Sequence, residues 1–465
     1  MGFRDLVLFY VVTGISLRWI ATAASAGQSS IIMWAGAWLL FYTPLALSVI
    51  ELSSRYPDEG GLYVWTRRAF GDFAGFMCGW IYWTSNLPYF PAVLYFAASN
   101  GLFMRREWQH LSTDSTFFMW FAIVALGLVT LLNIVGLDIG KWLHNIGALG
   151  MVLPVAILIG MGITAWVRFG PATQFTYSTI FPTTDLKELI FWSTIIYAFG
   201  GCETASFMAA EVKNPRRNIP RALFFGGVLV TLCYTLGTVS VLVALPHDQV
   251  SSLDGLMQAI SATGHRIGFI AVIPAAAALI SISNLGAAGA YLAATARLPF
   301  VAGIDRFLPP LFGNLHSRWR TPYVALLTQA ILGAIFIFLG QAGTSVKGAY
   351  DVLVSIGVIT YMLPYVFLFA AMFRLQRMPA GADVIRVPGG RPVAIMLSMV
   401  GSATATLAIV LSLLPPPDEP NKALAVMKIL GSTLALLAVG VAIYVLGKKR
   451  MRRSAVRLSQ PLPEN

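Results

Sequence analysis

Charged residues are scarce in this sequence. Asp, Glu, Lys and Arg make up 11% of its 465 residues, whereas hydrophobic residues make up 57%. The mean hydropathy is +0.73. A chain with so few charged side chains cannot cover the surface of a water-soluble globule. The composition therefore excludes a soluble domain and predicts a protein that lies in a lipid bilayer.

Cysteine and histidine are also rare. Cys78, Cys202 and Cys233 lie inside apolar segments, at spacings that suit neither a metal site nor a disulfide framework. The five histidines are scattered near predicted loops and span ends. No nucleophile, base or metal ligands converge at membrane depth, so the sequence predicts neither an enzyme nor a cofactor. A channel is not favoured either, because the chain has no filter-like loop or charged ring.

A cleavable signal pattern is lacking, because an apolar segment starts within a few residues of Met1. We therefore expect this first segment to span the membrane. Apolar runs of about 20 residues, each long enough to cross roughly 30 Å of hydrocarbon, recur along the chain. The twelve predicted spans cover residues 5–26, 31–53, 72–102, 116–136, 141–167, 188–211, 221–245, 268–296, 322–342, 348–373, 393–414 and 423–447. A short helix is also predicted in the polar segment 248–263.

Basic residues concentrate in alternate loops. The net charge is +12, but the basic residues form no continuous face, so nucleic acid is not a predicted partner. Most of the 32 Lys and Arg residues fall on the side that holds both termini, including the run Lys448 to Arg453. This bias predicts a multi-pass protein of the inner membrane, in contact with lipid, with cytoplasmic N- and C-termini. The tail 448–465 is interpreted as a stop after the last helix.

Two spans carry glycine at corresponding positions. The first span reads VTGISLR around Gly14, and the sixth reads YAFGGCET around Gly200 and Gly201. Non-helical backbone survives in a bilayer only where protein or a water-filled cavity satisfies it. We predict that both spans unwind at these glycines, offering amide donors to a solute carboxylate and carbonyls to its ammonium. The alternative is that the glycines only permit close helix packing.

Two charged residues lie inside these spans, Arg18 and Glu203. Charge at membrane depth is costly and is usually paired or functional. For Glu203 the candidate partners are Arg18, a substrate ammonium and a proton. For Arg18 three roles remain open: attracting an acidic substrate group, pairing with Glu203, or extending to the membrane surface. Both are predicted coupling or gating residues.

Other residues near the breaks are predicted to enclose the solute, with ordinary core packing as the alternative. They are Trp19, Tyr197 and Phe199 from the first and sixth spans, and Trp83, Asn86 and Tyr89 from the third. Ser281 and Ser283 on the eighth span are candidates for a sodium site. The alternative for each is a hydrogen bond to its own helix backbone.

Three loops, in order along the chain, resemble those of the amino acid-polyamine-organocation superfamily. They are ELSSRYPDEGGLYVWTRRAFG (51–71), EVKNPRRNIPRA (211–222) and ARLPFVAGIDRFLP (296–309). The resemblance implies an all-α integral membrane protein with the leucine-transporter-like fold. In that fold, helices 1 to 5 and 6 to 10 form an inverted repeat, helices 1 and 6 are broken, and helices 11 and 12 are accessory. The implied domain is 1–447, with repeats 1–167 and 188–373 and accessory helices at 393–447, before the basic tail 448–465.

The resemblance also assigns residues by position. Thr13, Gly14 and Ile15, followed by Ser16, match the break that holds the substrate carboxyl in relatives. Ala198, Phe199 and Gly200 match the break that receives its amino group. Tyr197 matches a gating aromatic, and Glu203 matches a glutamate. The run Ser16-Leu17-Arg18 is similar to the bacterial glutamate/GABA antiporter group, and the substrate charge stays open. Within the fifth span, the stretch from His144 to Trp166 lacks the lysine that some proton-coupled relatives have there.

We therefore expect a secondary transporter that moves an amino acid or a related amine by alternating access. Proton-coupled symport and solute exchange are both open, as are a monomer and a homodimer. The alternatives are a polyamine permease and a solute sensor that does not transport.

Overall fold

A computed structural model describes residues 2–56, 60–135, 137–183, 186–203, 214–296, 307–379, 381, 384–415 and 419–458. Over these ranges the chain forms helices, turns and loops, and no strand. The predicted all-α membrane fold is confirmed. Residues 57–59, 211–213 and 297–306 of the three loop motifs lie outside the described residues, as do residues 204–211 of the predicted sixth span.

Eighteen α-helices are numbered here in chain order. They are α1 Phe3–Gly14, α2 Leu17–Ser25, α3 Ser30–Ala37, α4 Thr43–Arg55, α5 Gly61–Phe70, α6 Asp72–Thr84, α7 Asn86–Gly101, α8 Ser115–Val135, α9 Leu137–Phe169, α10 Tyr177–Ile180, α11 Leu186–Tyr197, α12 Pro215–Ala244, α13 Gly255–Ile267, α14 Val272–Thr295, α15 Tyr323–Gln341, α16 Val346–Leu375, α17 Gly390–Ser412 and α18 Lys422–Leu458. A π-helical turn, Trp38–Tyr42, joins α3 to α4. The short helix predicted between residues 248 and 263 is α13. The last helix runs on to Leu458, so the predicted tail begins as helix.

Nine helices in the described part of the chain are long and apolar enough to cross a membrane. They coincide with nine of the twelve predicted spans: Ser30–Arg55, Ser115–Val135, Gly150–Phe169, Arg217–Ala244, Val272–Thr295, Tyr323–Gln341, Val346–Leu375, Gly390–Ser412 and Lys422–Arg452. The first, third and sixth predicted spans are instead made of shorter helices.

The first span is interrupted at Ile15 and Ser16, between α1 and α2. The predicted interruption of this span is present, with Gly14 as the last residue of α1. A Cβ atom at Gly14 would lie 3.3 Å from a methyl carbon of Val230 on α12. The glycine thus permits close packing of α1 on α12, which was the alternative interpretation.

The third span was predicted as one helix, but it turns at Ser85, between α6 and α7. Pro88 has no backbone N–H and cannot donate to the carbonyl four residues earlier. That carbonyl belongs to Thr84. At the same turn, the side chains of Ser85 and Asn86 donate to the Tyr82 carbonyl, over 2.7 and 3.0 Å. Local side-chain hydrogen bonds therefore stabilise the turn.

The sixth span leaves α-helical geometry after Tyr197, where α11 ends. Gly201 has φ of +109°, a backbone conformation that L-residues with side chains rarely adopt. A Cβ atom at Gly200 would overlap the ring of Tyr361 on α16. Both glycines are therefore required by the local backbone, and the predicted interruption of this span is confirmed.

The interrupted helices lie inside a scaffold of long helices. The first span packs through α1 and α2 against α12, while α14 packs against α7 and α9, and α16 against α7 and α17. The helix α16 is the most buried of the nine long helices. The inverted-repeat relation between the two halves stays a prediction.

The two ends of the bundle differ in charge. We call the end that holds Arg55, Arg374 and Arg450 the basic end. The end that holds His247 and Lys347 is called the opposite end. Because α1 begins at the basic end, α2 leads from the first break to the opposite end.

A buried ionic cluster fastens α4 at the basic end. Glu51 is 1% exposed and accepts hydrogen bonds from Arg55 (2.8 Å), Gln376 (2.6 Å) and the Val387 amide (2.9 Å). Arg55 in turn donates to the carbonyls of Leu375 and Met378. The cluster ties the end of α4 to the segment that leaves α16.

Candidate solute site between the interrupted helices

One tyrosine satisfies the backbone at the first break. The Tyr234 hydroxyl donates to the Gly14 carbonyl over 2.7 Å and accepts from the Ser16 amide over 3.0 Å. The ring of Tyr234 is fully buried on α12. The amide of Ser16, predicted as a donor to the solute, is thus already bonded to protein in this conformation.

Aromatic packing couples the first break to the second. Trp34 of α3 stacks on Tyr234, with ring centroids 4.5 Å apart and planes inclined by 15°. Phe199, which follows α11, meets Trp34 edge-on at 5.7 Å. The indole N–H of Trp34 donates to Thr238 over 3.0 Å. Trp34 and Tyr234 therefore form a continuous packing contact between the two breaks.

Replacing Tyr234 with Phe keeps the packed ring but removes the bridging hydroxyl. The Gly14 carbonyl and Ser16 amide then lose a partner, so we expect a destabilisation of about 1 to 3 kcal/mol. The unfolding midpoint in detergent measures it. Tyr177→Phe is the matched control, because Tyr177 is 83% exposed. Equal midpoints for the two variants would show that the hydroxyl does not stabilise the break.

Glu203, just beyond the second break, is held by four protein donors. Its side chain is fully buried. Tyr82 of α6 donates to one carboxyl oxygen over 2.8 Å, and Tyr361 of α16 donates to the same oxygen over 3.2 Å. Tyr365 and the Gly201 amide donate to the other, over 2.9 and 3.1 Å. Four hydrogen bonds from three elements therefore fix the position of the Glu203 side chain.

These contacts join three elements on the basic side of the second break. Tyr82 lies on α6, which begins at the basic end, and Tyr361 and Tyr365 lie in the half of α16 that leads there. Their rings pack together, with Tyr361 lying 5.7 Å from Tyr82 and 5.2 Å from Tyr365. The cluster of Glu203 and three tyrosines therefore lies on the side of the second break that faces the basic end.

Arg18, in the first turn of α2, is 2% exposed. Its guanidinium carbon lies 4.5 Å from the ring centroid of Trp19 and 4.8 Å from that of Tyr89. Such positions are stabilised by cation–π attraction. Its Nε donates to the Ser16 hydroxyl over 3.3 Å. The side chain does not extend to the membrane surface, so that alternative is excluded by its burial.

Arg18 and Glu203 do not pair. Among ion pairs within the described ranges, Arg55 joins Glu51 and Arg67 joins Asp72, but none joins these two residues. A series of aromatic rings connects their surroundings instead. Tyr197 packs against Trp19 at 5.1 Å and against Tyr361 at 5.2 Å. The predicted gating aromatic therefore lies between the cation and the carboxylate clusters.

The remaining predicted residues divide into two groups. Ile15, Ala198 and Phe199 are buried at the two breaks, and Tyr89 packs on Tyr291 of α14 at 4.8 Å. Thr13 lies in α1, one residue before Gly14. The structure thus brings three parts of the chain together, namely residues 14–18, residues 197–203 and Tyr89. Asn86, by contrast, donates to the backbone carbonyls of Tyr82 and Trp83 in the last turn of α6.

The two candidate sodium ligands face different helices. The hydroxyl of Ser281 donates to the Ala97 carbonyl on α7 over 2.9 Å. The hydroxyl of Ser283 donates to the Ile280 carbonyl of its own helix over 2.9 Å. Its Cβ lies next to Gly150 on α9. The two hydroxyls therefore bond to backbone in separate interfaces, and we propose no sodium site here.

A polar cavity of about 210 Å³ lies on the opposite side of the breaks. Its lining includes Thr22 and Ser25 of α2, Thr194 of α11, and Lys347, Tyr350 and Asp351 of α16. The Thr22 hydroxyl donates to the Arg18 carbonyl over 3.1 Å, one helical turn below. The cavity thus approaches Arg18 from the opposite end, whereas the cluster around Glu203 fills the path to the basic end.

Sequence reasoning missed Tyr82, Tyr234, Tyr291, Tyr361 and Tyr365. The signal in the sequence was a hydroxyl that must find a partner inside an apolar span. That signal identifies no partner, because the carbonyls and carboxylates that these tyrosines meet are distant in the chain. Only the assembled bundle reveals the pairs.

In the described part of the chain, nine long apolar helices surround shorter, interrupted helices with polar groups between them, so the protein is a multi-pass membrane protein. Comparison with protein families identifies the kind of membrane protein. The model of the family described as amino acid permease matches residues 2–439. The chain belongs to this family of membrane transporters.

Three curated relatives are similar over most of the chain. An uncharacterized transporter of Legionella pneumophila is 29% identical over 426 residues, which cover 90% of each chain. A probable agmatine/putrescine antiporter of Lactococcus lactis is 24% identical, covering 77% of this chain and 75% of its own. A serine/threonine exchanger of Bacillus subtilis is 24% identical, covering 79% of this chain and 80% of its own.

Proposed function

We propose that this protein is a secondary transporter that exchanges small amino acids or related solutes across the inner membrane. The solute occupies the space beside the two breaks, between Arg18 and Tyr197. The protein opens this space alternately to the two sides of the membrane and carries out no chemical conversion. The exchanger and antiporter among the relatives support exchange over proton-coupled symport.

The observation that carries the proposal is the asymmetry of the path through the bundle. A polar cavity reaches toward the first break from the opposite end. Glu203 and its tyrosines obstruct the path from the breaks to the basic end. A site that is closed on one side and approached by a cavity on the other suits alternating access.

The interrupted helices supply the moving parts of this mechanism. No side chain caps the N-terminus of α2, so its first amides and its positive dipole end suit a solute carboxylate. Opening toward the basic end requires Glu203 to leave Tyr82, Tyr361 and Tyr365. We propose that α1, α2 and the second break, which open the two inverted repeats spanning residues 1–167 and 188–373, rock against α6, α7 and α14.

The excess of basic residues at the basic end supports a cytoplasmic location for that end and for both termini. In this orientation, the cavity beside Thr22 and Tyr350 faces outward. The described conformation is then closed to the cytoplasm. A monomer contains every residue that the proposed site requires.

Counterflow in proteoliposomes tests the proposal. The lumen is loaded with one member of a panel of acidic, neutral and basic amino acids and diamines, and labelled solute is added outside at two pH values. A carrier shows saturable entry that depends on the luminal solute. Entry without saturation would indicate a channel, and specific binding without entry would indicate a solute sensor. Entry driven by a proton gradient alone would replace exchange with symport.

A further inference from the structure

We propose that Arg18 is the receptor for a solute carboxylate and that the site selects acidic amino acids over diamines. The inference rests on the proposed function, because it names the substrate class of the same site. The additional observation is the incomplete hydrogen bonding of the Arg18 guanidinium.

The guanidinium of Arg18 is buried but incompletely satisfied. A guanidinium carries five N–H donors in a planar fork. Within the described ranges, only Nε donates a hydrogen bond, to the Ser16 hydroxyl over a long 3.3 Å. The two terminal nitrogens donate to no described residue, although the side chain of Arg18 is only 2% exposed. A buried cation in this state is unstable unless an anion completes it.

The geometry around Arg18 suits a carboxylate. The rings of Trp19 and Tyr89 fix the guanidinium by lying 4.5 and 4.8 Å from its carbon. A planar, fixed fork is suited to bidentate binding of a carboxylate. The uncapped N-terminus of α2 lies in the same turn and adds positive potential. The aromatic contacts, the planar guanidinium and the uncapped helix end therefore all favour an anion beside Arg18.

Glu203 does not cancel this positive charge. Its two oxygens accept from three tyrosine hydroxyls and the Gly201 amide, so they are engaged by protein donors. No ion pair joins it to Arg18 in the described ranges. A solute with one net negative charge neutralises Arg18, whereas a diamine brings two further cations next to it. The site therefore favours acidic amino acids, and a polyamine permease is disfavoured.

Competition with counterflow tests this assignment, using glutamate, alanine and putrescine as the three competing solutes. We expect glutamate to inhibit at the lowest concentration and putrescine not to inhibit. In Arg18→Gln, the glutamate concentration that gives half-maximal inhibition should rise by about 10- to 100-fold, the range for a hydrogen-bonded charged group. Arg18→Lys keeps the charge, so the half-maximal glutamate concentration should rise less in this variant. The matched control is Arg266→Gln, which removes an exposed positive charge at the opposite end.

The outcomes separate the inference from the proposed function. Stronger inhibition by putrescine than by glutamate, or equal glutamate inhibition in wild type and Arg18→Gln, would overturn the role of Arg18 while leaving a working carrier. Loss of glutamate inhibition in Arg266→Gln equal to that in Arg18→Gln would reduce the effect to general surface charge and also overturn it. No counterflow with any solute in the wild type would overturn both proposals. Elution as a single monodisperse species in size-exclusion chromatography verifies folding of each variant.

Discussion

Glu203→Gln is expected to lower counterflow by about 10- to 100-fold. The amide keeps the size of the carboxyl group but replaces one acceptor oxygen by a donor nitrogen. That nitrogen would face hydroxyls that now donate to Glu203, from Tyr82 and Tyr361 or from Tyr365. The closed conformation then loses hydrogen bonds that hold α6 and α16 to the second break, and its population falls.

The matched control for this variant is Glu188→Gln. Glu188 lies near the start of α11, and its carboxyl group accepts an exposed hydrogen bond from the Thr183 amide over 2.8 Å. We expect it to transport at the wild-type rate. The pH dependence of exchange is measured for all three proteins, because a purely structural loss would lower the rate without changing the pH profile. Wild-type rate and pH profile in Glu203→Gln would remove Glu203 from the mechanism.

Glu51→Ala is expected to destabilise the protein by about 3 to 5 kcal/mol, the cost of leaving one partner of a buried ion pair alone. Arg55, Gln376 and the Val387 amide all lose their acceptor in this variant. The end of α4 then separates from the segment after α16. The unfolding midpoint in detergent measures the loss.

Asp72→Ala is the control for the buried cluster, because Asp72 also pairs with an arginine over a short distance. Its contact with Arg67 is 2.7 Å long, but the side chains are 55% and 47% exposed. An exposed ion pair contributes about 0 to 1 kcal/mol. If both alanine variants unfold at the same temperature, burial of the Glu51 cluster does not stabilise the protein.

The course of the chain through the membrane was predictable because it follows from hydropathy and length alone. Nine spans needed no more than runs of apolar residues. The third span shows the limit, since its turn at Ser85 depends on the side chains of Ser85 and Asn86 and on the missing donor of Pro88. An apolar run with proline does not distinguish a kink from a continuous helix.

The breaks were predictable in kind but not in detail. Glycine in two corresponding spans indicated where the helices are interrupted. It did not reveal that Gly14 packs against Val230 or that Tyr234 bridges the break. Tyr234 lies 220 residues from Gly14 in the chain, so the sequence offers no spacing that joins them.

The charged residues of the site were predictable because charge at membrane depth is rare and costly. The sequence left open whether Arg18 pairs with Glu203. The structure answers this with the tyrosines around Glu203 and with the position of Arg18 between Trp19 and Tyr89. Three-dimensional proximity decides between these partners, and sequence separation carries no information about it.

The most direct test of the proposed site is solute protection of a cysteine placed at Ser16, in a chain whose three native cysteines are replaced by alanine and which retains counterflow. The rate of modification by a membrane-impermeant thiol reagent is measured at increasing solute concentration. We predict saturable protection, with a half-maximal concentration equal to that for counterflow. An unchanged modification rate at solute concentrations that saturate counterflow would place the transported solute elsewhere and contradict the account.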